Sequence, residues 1–261
     1  MTDGIGARDD VLAANSCITW CDGGDLFTQD VACIVNPVNT HGVMGAGLAK
    51  QVKQRFPEAF DRYAEMCRAG RLGPGMVMLT RHDRATGRRR EDGDLLIAHV
   101  ATKDHWRDPS RLDWVHAGLV RLAGALQARG VRSLALPKLG AGLGGLDWGD
   151  VSLAILEAFW PAALTGLDLR VLGAAPDADT LPGDPHDLAQ MLSARIGGAL
   201  HDPSRDPVRQ FRGANRFLSN MAPATVIWGD GAEAQPRTFG SSELAYVCAK
   251  TLDPAARDRL V

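Results

Sequence analysis

Short runs of β-branched and aromatic residues alternate with longer stretches of helical spacing along most of the chain. The predicted strands cover residues 16–20, 31–35, 76–80, 95–100, 133–137 and 167–172. The predicted helices cover residues 46–70, with an interruption at Pro57, and residues 112–128 and 151–160. Strands that alternate with helices predict an α/β fold whose mostly parallel sheet is covered on both faces.

The pattern changes near residue 175. Residues 176–207 are rich in Asp, Pro and Gly, with one predicted helix at 186–200, which indicates a linker. Residues 208–261 follow with a predicted strand at 225–228 and a predicted helix at 242–252. So short a piece is marginal as an independent domain, so we expect an incomplete C-terminal α+β segment.

Composition narrows the classes of function. Lys and Arg number 29 against 31 Asp and Glu, a formal charge of −2, so any contact with nucleic acid is expected to be local. The five cysteines are scattered without a CxxC pair, which argues against a disulfide scaffold or a zinc ribbon. With no apolar run of membrane-spanning length and no signal-peptide core, the sequence predicts a cytoplasmic protein without a membrane partner. We expect neither a metal nor a cofactor.

Two glycine-rich loops each join a predicted strand to a helix, at residues 42–47 and 140–145. At the carboxyl edge of a parallel sheet, backbone N–H groups and helix N-termini can surround a pyrophosphate. The alternative is that the glycines only permit tight turns and close helix–sheet packing. Neither loop ends in the Lys-Ser/Thr of a P-loop, which disfavours an ATPase. The first loop also lacks the glycine spacing of a dinucleotide-binding motif, which disfavours a dehydrogenase.

Four ordered motifs resemble the macrodomain family. They are residues 24–27 (Gly-Asp-Leu-Phe), 34–39 (Ile-Val-Asn-Pro-Val-Asn), 42–47 and 136–142 (Leu-Pro-Lys-Leu-Gly-Ala-Gly). Residues 101–107 and 144–148 are similar to the DNA ADP-ribosyl glycohydrolase antitoxins of the DarT–DarG type. The resemblance implies a three-layer α/β/α sandwich with a mixed sheet over residues 15–175, which binds ADP-ribose and hydrolyses it from a DNA base.

The resemblance also implies a set of ligand-binding residues. Asp25 would accept from the adenine amino group, and its alternative role is to form a turn or cap a helix. Asn39 would bind the distal ribose hydroxyls, and its alternative role is an Asx turn. The remaining implied contacts are Leu26, Gly45, Ala46, Gly47, Leu139, Gly140, Ala141, Gly142, Leu143 and Gly144.

Lys103 is the candidate catalytic residue. It follows the predicted strand 95–100, at the edge where such sheets place ligands. A desolvated amine of lowered pKa could attack the anomeric carbon or protonate the departing base, whereas a solvated surface lysine would do neither. Gly144 stands where a related group of macrodomain hydrolases has an aspartate. Asp147 is expected to cap the helix that begins near Trp148.

Contacts with DNA are predicted from His105, Trp106 and Arg107, together with an arginine-rich connection expected at the substrate end of the cleft. That connection carries Arg81, Arg84, Arg88, Arg89 and Arg90. Its arginines, Arg88 and Arg89 among them, could contact phosphates of single-stranded DNA while Trp106 stacks on a base. The alternative is a solvated hairpin with Trp106 packed under the loop.

Residues 211–213, 217–220 and 241–243 resemble the beginning of a NADAR domain, with Glu243 at that family's acidic position and hence at a second candidate site. A helix-N-terminal glutamate stabilised by the macrodipole is the alternative. The leading hypothesis is an ADP-ribosyl glycohydrolase that acts as antitoxin to a cognate ADP-ribosyltransferase toxin. A non-catalytic ADP-ribose reader and a hydrolase of a small ADP-ribose derivative remain alternatives.

Overall fold

A computed structural model describes residues 10–196 and two further strands at 224–228 and 235–239. The chain divides into two compact units, Met1–Gly198 and Ala199–Val261. The strands of the first unit are β1 (Thr19–Trp20), β2 (Cys33–Val38), β3 (Val77–His82), β4 (Leu95–Ala101), β5 (Ser133–Leu136) and β6 (Asp168–Val171). Its helices are α1 (Asp10–Cys17), α2 (Gly47–Arg55), α3 (Pro57–Arg68), α4 (Leu112–Gln127), α5 (Trp148–Leu164) and α6 (Pro185–Arg195).

The six strands form one mixed sheet in the order β1-β6-β5-β2-β4-β3. All neighbouring strands are parallel except β3, which runs antiparallel to β4. The predicted α/β fold with a mixed sheet is therefore confirmed. Strands β2, β4 and β5 end at the same edge, which we call the carboxyl edge, and the opposite side is the amino edge.

Helices cover both faces of the sheet. Every residue of β4 is buried, as expected for a central strand between two helical layers. Tyr63 of α3 stacks on His99 of β4, on one face. On the other face, Gly118 of α4 lies directly against Val100 of β4. The chain breaks between α2 and α3 at Pro57, which occupies the first helical position, as the sequence predicted.

Two helices that lie mostly or wholly outside residues 15–175 pack onto this sandwich. The strand predicted at 16–20 is wrong at its start, because α1 continues to Cys17. Val11 and Ala14 are completely buried and α1 packs against α5, so tertiary contact stabilises a helix whose own pattern is weak. Helix α6 lies in the segment predicted as a linker and also packs against α5. The first unit therefore includes both helices.

The described part of the second unit is an antiparallel pair, β7 (Ala224–Trp228) with β8 (Gln235–Phe239). Strand β7 coincides with the strand predicted at 225–228. The helix predicted at 242–252, and Glu243 with it, lie outside the described residues. Over the part of the chain that the structure describes, no helix is long and apolar enough to cross a membrane.

Candidate active site at the carboxyl edge

A cavity of about 650 Å³ opens at the carboxyl edge, between the two glycine loops. Segments that follow β2, β4 and β5 line it, as expected for a ligand site in a parallel sheet. The predicted site residues that share this lining are Asn39, Gly45, Ala46, Gly47, Lys103, Trp106, Gly140, Gly142, Leu143 and Gly144. The structure thus brings together most of the residues singled out in the sequence.

Asn39 holds the first glycine loop in shape. Its Oδ1 accepts from the backbone N–H groups of His41 at 2.9 Å and Val43 at 3.3 Å, and its Nδ2 donates to the Val43 carbonyl at 2.6 Å. The buried Tyr63 hydroxyl donates to Asn39, 2.8 Å from the carbonyl oxygen and 3.0 Å from Oδ1. The turn-forming role considered for Asn39 is therefore present, and binding of ribose remains a prediction.

A buried polar group lies beneath this loop. Asn36 Nδ2 lies 3.1 Å from His99 Nδ1, and Thr80 Oγ1 lies 3.1 Å from His99 Nε2. Complete burial lowers the pKa of His99 to about 3, so the imidazole is neutral. Nδ1 then accepts from Asn36 and the Nε2 hydrogen is donated to Thr80. Tyr63 packs between this neutral ring and Asn39, and so connects the sheet interior to the loop.

The second glycine loop has no room for a side chain at Gly144. A Cβ there would lie 2.3 Å from both the Gly140 carbonyl oxygen and Ser110 Oγ, while Ser110 N–H donates to the Gly144 carbonyl at 2.8 Å. Gly140 has a φ of +69°, in the left-handed region. This loop therefore excludes an aspartate at residue 144. Asp147 caps α5 as predicted, since its Oδ1 accepts from Asp150 N–H at 3.1 Å.

Lys103 lies two residues beyond the end of β4 and reaches across the cavity. Its Nζ donates to the Leu143 carbonyl at 3.3 Å, which links the segment after β4 to the second glycine loop. Partial burial lowers the pKa of Lys103, and the nearby Asp108 carboxylate opposes this shift. Of the described residues that line the cavity, Lys103 and Lys138 alone carry a charge. The cavity is therefore suited to an anion.

Trp106 forms a rim to the cavity. It is 44% exposed, so it is not packed under the loop as the alternative interpretation had it. The His105 ring lies 5.1 Å from the indole, and the Arg107 guanidinium lies 4.3 Å from the centre of the Trp106 ring. His41, at the first glycine loop, contacts the His105 ring edge-on at 4.9 Å. These residues form an aromatic and cationic surface beside Lys103.

Four predicted ligand residues do not belong to the described lining, namely Asp25, Leu26, Leu139 and Ala141. Asp25 Oδ1 accepts from the Phe27 N–H at 2.9 Å and caps a short 3-10 helix, Leu26–Thr28. The side chains of Leu26 and Leu139 are buried in the protein interior. The capping role considered for Asp25 is thus present, and its contact with adenine remains a prediction.

The arginine-rich connection does not lie at the substrate end of the cleft, and that expectation is wrong. It joins the end of β3 to the start of β4 and therefore lies at the amino edge. Strand β4 separates it from Lys103 by about 20 Å of extended chain. Arg84 donates to the carbonyls of Gln29 and Val31 there. A contact between Arg88 or Arg89 and DNA remains a prediction.

Three polar residues of the lining were not predicted as site residues from the sequence: Thr102, Ser110 and Lys138. Thr102 comes directly after β4 and Lys138 follows β5 by two residues, so their position relative to the strands was a usable signal. Ser110 donates to Thr102 Oγ1 at 3.3 Å and lies far from any strand in sequence. Only the folded loop shows its proximity.

The geometry agrees with comparisons to known proteins. A family model described as Macro domain matches residues 35–155. A DNA ADP-ribosyl glycohydrolase of Mycobacterium tuberculosis is 41% identical over 136 residues, which are 52% of this chain and 37% of that relative. The chain thus covers well under half the length of this curated relative.

Two solved structures resemble the fold. The macrodomain of Mycobacterium tuberculosis DarG matches with a TM-score of 0.52 and 37% identity, over 61% of this chain and 99% of that one. Thermosipho africanus DarTG in complex with ADP-ribose matches with a TM-score of 0.50 and 29% identity, over 63% of this chain and 44% of that one. With a mixed sheet, two glycine loops and this near-complete match to a macrodomain, the chain belongs to the macrodomain family.

Proposed function

We propose that the first unit is an ADP-ribosyl glycohydrolase that removes ADP-ribose from a DNA base. The observation that carries the proposal is the position of Lys103, a half-buried amine of lowered pKa in the wall of the cavity. The names of the Mycobacterium relative and of the Thermosipho complex support ADP-ribose on DNA as the substrate. Cleavage consumes water and releases ADP-ribose and the unmodified base.

Each part of the cavity has a proposed partner in the ligand. The diphosphate lies against backbone N–H groups of the two glycine loops, which need no metal for this contact. In the proposed complex Asn39 binds the distal ribose. Asp25, which lies outside the described lining, accepts from the adenine amino group, as the family resemblance implies. The 650 Å³ volume lies within the range of small-molecule sites, and ADP-ribose is a ligand of that class.

Lys103 fits two chemical roles at the anomeric carbon. As a free amine it attacks the anomeric carbon while the bond from that carbon to the base breaks. The base leaves with the bonding electron pair and takes up a proton from solvent, and water then hydrolyses the lysine adduct to release ADP-ribose and the free amine. As an ammonium it donates a proton to the departing base while water attacks. Partial burial lowers the pKa of Lys103, which favours the neutral amine more than in a fully solvated lysine. The second loop has no room for an aspartate at residue 144, and Lys103 is the charged side chain that donates to the backbone of this loop at Leu143.

The substrate proposed is single-stranded DNA, and the proposed partner is a cognate ADP-ribosyltransferase toxin. Trp106 offers an exposed indole on which a neighbouring base can stack, with Arg107 close enough to meet a phosphate. Such a substrate suits the cytoplasmic location expected from the sequence. A NADAR-like activity around Glu243 is a separate proposal that rests on the sequence resemblance alone.

A non-catalytic reader of ADP-ribose is the second candidate. It is favoured by the lack of any carboxylate in the described lining, which leaves no acidic side chain there to activate water. The test is to incubate the purified chain with oligonucleotides ADP-ribosylated on thymidine or guanosine and to measure free ADP-ribose by mass spectrometry. Release dependent on Lys103 supports the hydrolase. Binding without release from either substrate contradicts it and supports the reader.

A further inference from the structure

A second lysine lines the cavity, on the side away from Lys103. Lys138 follows β5 by two residues, just as Lys103 follows β4 by two. Strand β2 lies between β5 and β4 in the sheet, so the two lysines emerge on either side of the first glycine loop. Neighbouring strands are separated by about 4.8 Å, which places the two chain segments roughly 10 Å apart. An anion held by the glycine loops therefore has a cation on each side.

The neighbours of Lys138 hold its side chain in place, but they offset the charge of its ammonium group only weakly. Its Nζ lies 3.2 Å from Asp22 Oδ1 and 5.7 Å from the centre of the Trp148 ring. The indole is held in place because its Nε1 donates to the Ala174 carbonyl at 2.8 Å and its ring packs directly on Gly173. Asp22 is 76% exposed and Lys138 is 46% exposed. An ion pair so open to water is weak, and a better anion can replace the carboxylate.

We propose that Lys138 is a specificity-determining residue that exchanges Asp22 for a phosphate of the ligand. In the free protein Asp22 holds the ammonium group, and in the complex the diphosphate takes its place. The inference rests on the proposed function in one respect, that the ligand is a nucleoside diphosphate of the ADP-ribose type. It assigns to Lys138 the preference for such diphosphates over neutral nucleosides.

Removal of the charge on Lys138 and removal of the charge on Asp22 are expected to change the affinity for the diphosphate in opposite directions. Removal of the Lys138 charge weakens binding of the diphosphate because a charge-assisted contact is lost. Removal of the Asp22 charge strengthens binding, because the ammonium group no longer has a competing anion. Neither change alters the glycine loops, so adenosine, which has no phosphate, serves as an internal reference. Without Lys138, Asp22 has no ammonium group to compete for and its substitution has no effect.

The experiment is isothermal calorimetry of the full chain at low ionic strength, with ADP-ribose, ADP and adenosine as titrants. We expect Lys138→Gln to weaken the binding of ADP-ribose and of ADP about tenfold, and to leave the affinity for adenosine within about twofold of the wild-type value. We expect Asp22→Asn to tighten the binding of both diphosphates about twofold to threefold. The same substitution should have no effect on binding in the Lys138→Gln background. Lys53→Gln, on the exposed surface of α2, makes the same change in net charge and is the matched control.

Three results would overturn the inference. The first is that Lys138→Gln and Lys53→Gln bind ADP-ribose with equal affinity. The second is that Lys138→Gln loses as much affinity for adenosine as for ADP. The third is tightening by Asp22→Asn that persists without Lys138. Thermal melting of each variant confirms that it is folded. Binding of ADP-ribose is measured apart from turnover, so a wild-type protein that binds but does not cleave DNA contradicts only the glycohydrolase function.

Discussion

Lys103 Nζ donates a hydrogen bond to the Leu143 carbonyl oxygen at 3.3 Å, across the mouth of the cavity. The Leu143 side chain is 78% exposed, so its backbone, and not packing of its side chain, provides this contact. The amine is thus held beside the second glycine loop, where the ligand phosphates are proposed to lie. This bond distinguishes Lys103 from a freely solvated surface lysine.

Replacement of Lys103 by alanine is expected to reduce turnover of ADP-ribosylated DNA by roughly 100-fold or more, the usual effect of a lost nucleophile or acid–base group. Affinity for ADP-ribose should change little, because the glycine-loop backbone and Lys138 are proposed to hold the phosphates, while Lys103 acts at the anomeric carbon. Lys103→Arg should also be inactive, since a guanidinium does not readily lose a proton. Single-turnover assays measure the rate, with Lys53→Ala as the control. A wild-type rate in Lys103→Ala would rule out both proposed roles.

Gly144→Ala should destabilise the protein, because its Cβ would overlap the Gly140 carbonyl and Ser110 Oγ at 2.3 Å. Relief of such overlap costs about 1–3 kcal/mol and moves the loop. Gly142→Ala is the control for stability, since a Cβ there has no neighbour within 4 Å. Urea denaturation compares the two variants. Equal stability would show that the loop relaxes freely.

Tyr63→Phe should loosen the first glycine loop without disturbing the stack on His99. The phenol hydroxyl donates to Asn39, and its loss should cost about 1–2 kcal/mol of unfolding free energy. Because Asn39 shapes the loop, ADP-ribose should bind more weakly as well. Calorimetry and urea denaturation give the two quantities, and a variant with lower stability but unchanged affinity would separate the loop from the ligand site.

Acid should destabilise the fold through His99. Its folded pKa is about 3, below the unfolded value of about 6.5, so the unfolded chain binds a proton that the folded chain refuses. Stability is therefore full above a pH of about 6.5 and is lost as the pH falls from there towards 3. At a pH of about 4.5 the loss from this group is about 2–3 kcal/mol. Burial also lowers the pKa of His82, which acts in the same direction.

Urea denaturation at several pH values measures this dependence. The variant His99→Gln keeps a polar side chain but cannot be protonated, so it should be less stable at neutral pH and show a shallower loss in acid. An unchanged slope in this variant would assign acid sensitivity to other groups.

The two predicted DNA contacts should differ in their dependence on substrate length. Trp106→Ala should slow cleavage of the shortest modified oligonucleotides, because Trp106 lines the cavity. Arg88→Ala with Arg89→Ala should affect only strands long enough to reach the amino edge, about 20 Å away. Cleavage rates over a length series at two salt concentrations test this. A uniform effect of the arginine substitutions at all lengths would contradict it.

The parts predicted well from sequence are those fixed by local chemistry. Glycine loops after buried strands, Pro57 at a helix start and Asp147 as a cap depend on short segments, and each has its expected form. The parts predicted poorly depend on contacts distant in sequence. Helix α1 is stabilised by its packing on α5, and the pattern of its eight residues does not by itself predict a helix.

The residues of the candidate site divide in the same way, into those marked by local sequence and those placed by contacts distant in sequence. Lys103 and Trp106 were found because they follow a recognisable strand and motif. Lys138 lies within the 136–142 motif but was not singled out, because its partners Asp22 and Trp148 come from other parts of the chain. The arginine-rich connection was placed at the wrong edge because its location depends on the direction of β4, which the hairpin pattern does not fix.

The antiparallel edge strand β3 has a practical consequence for experiments on this protein. It returns the chain to the amino edge and leaves an exposed turn, including Glu91 and Asp92, far from the cavity. Exposed turns tolerate insertions and chemical labels best. A fluorophore or affinity tag attached at this turn would therefore report on, or immobilise, a protein whose ligand cavity remains open.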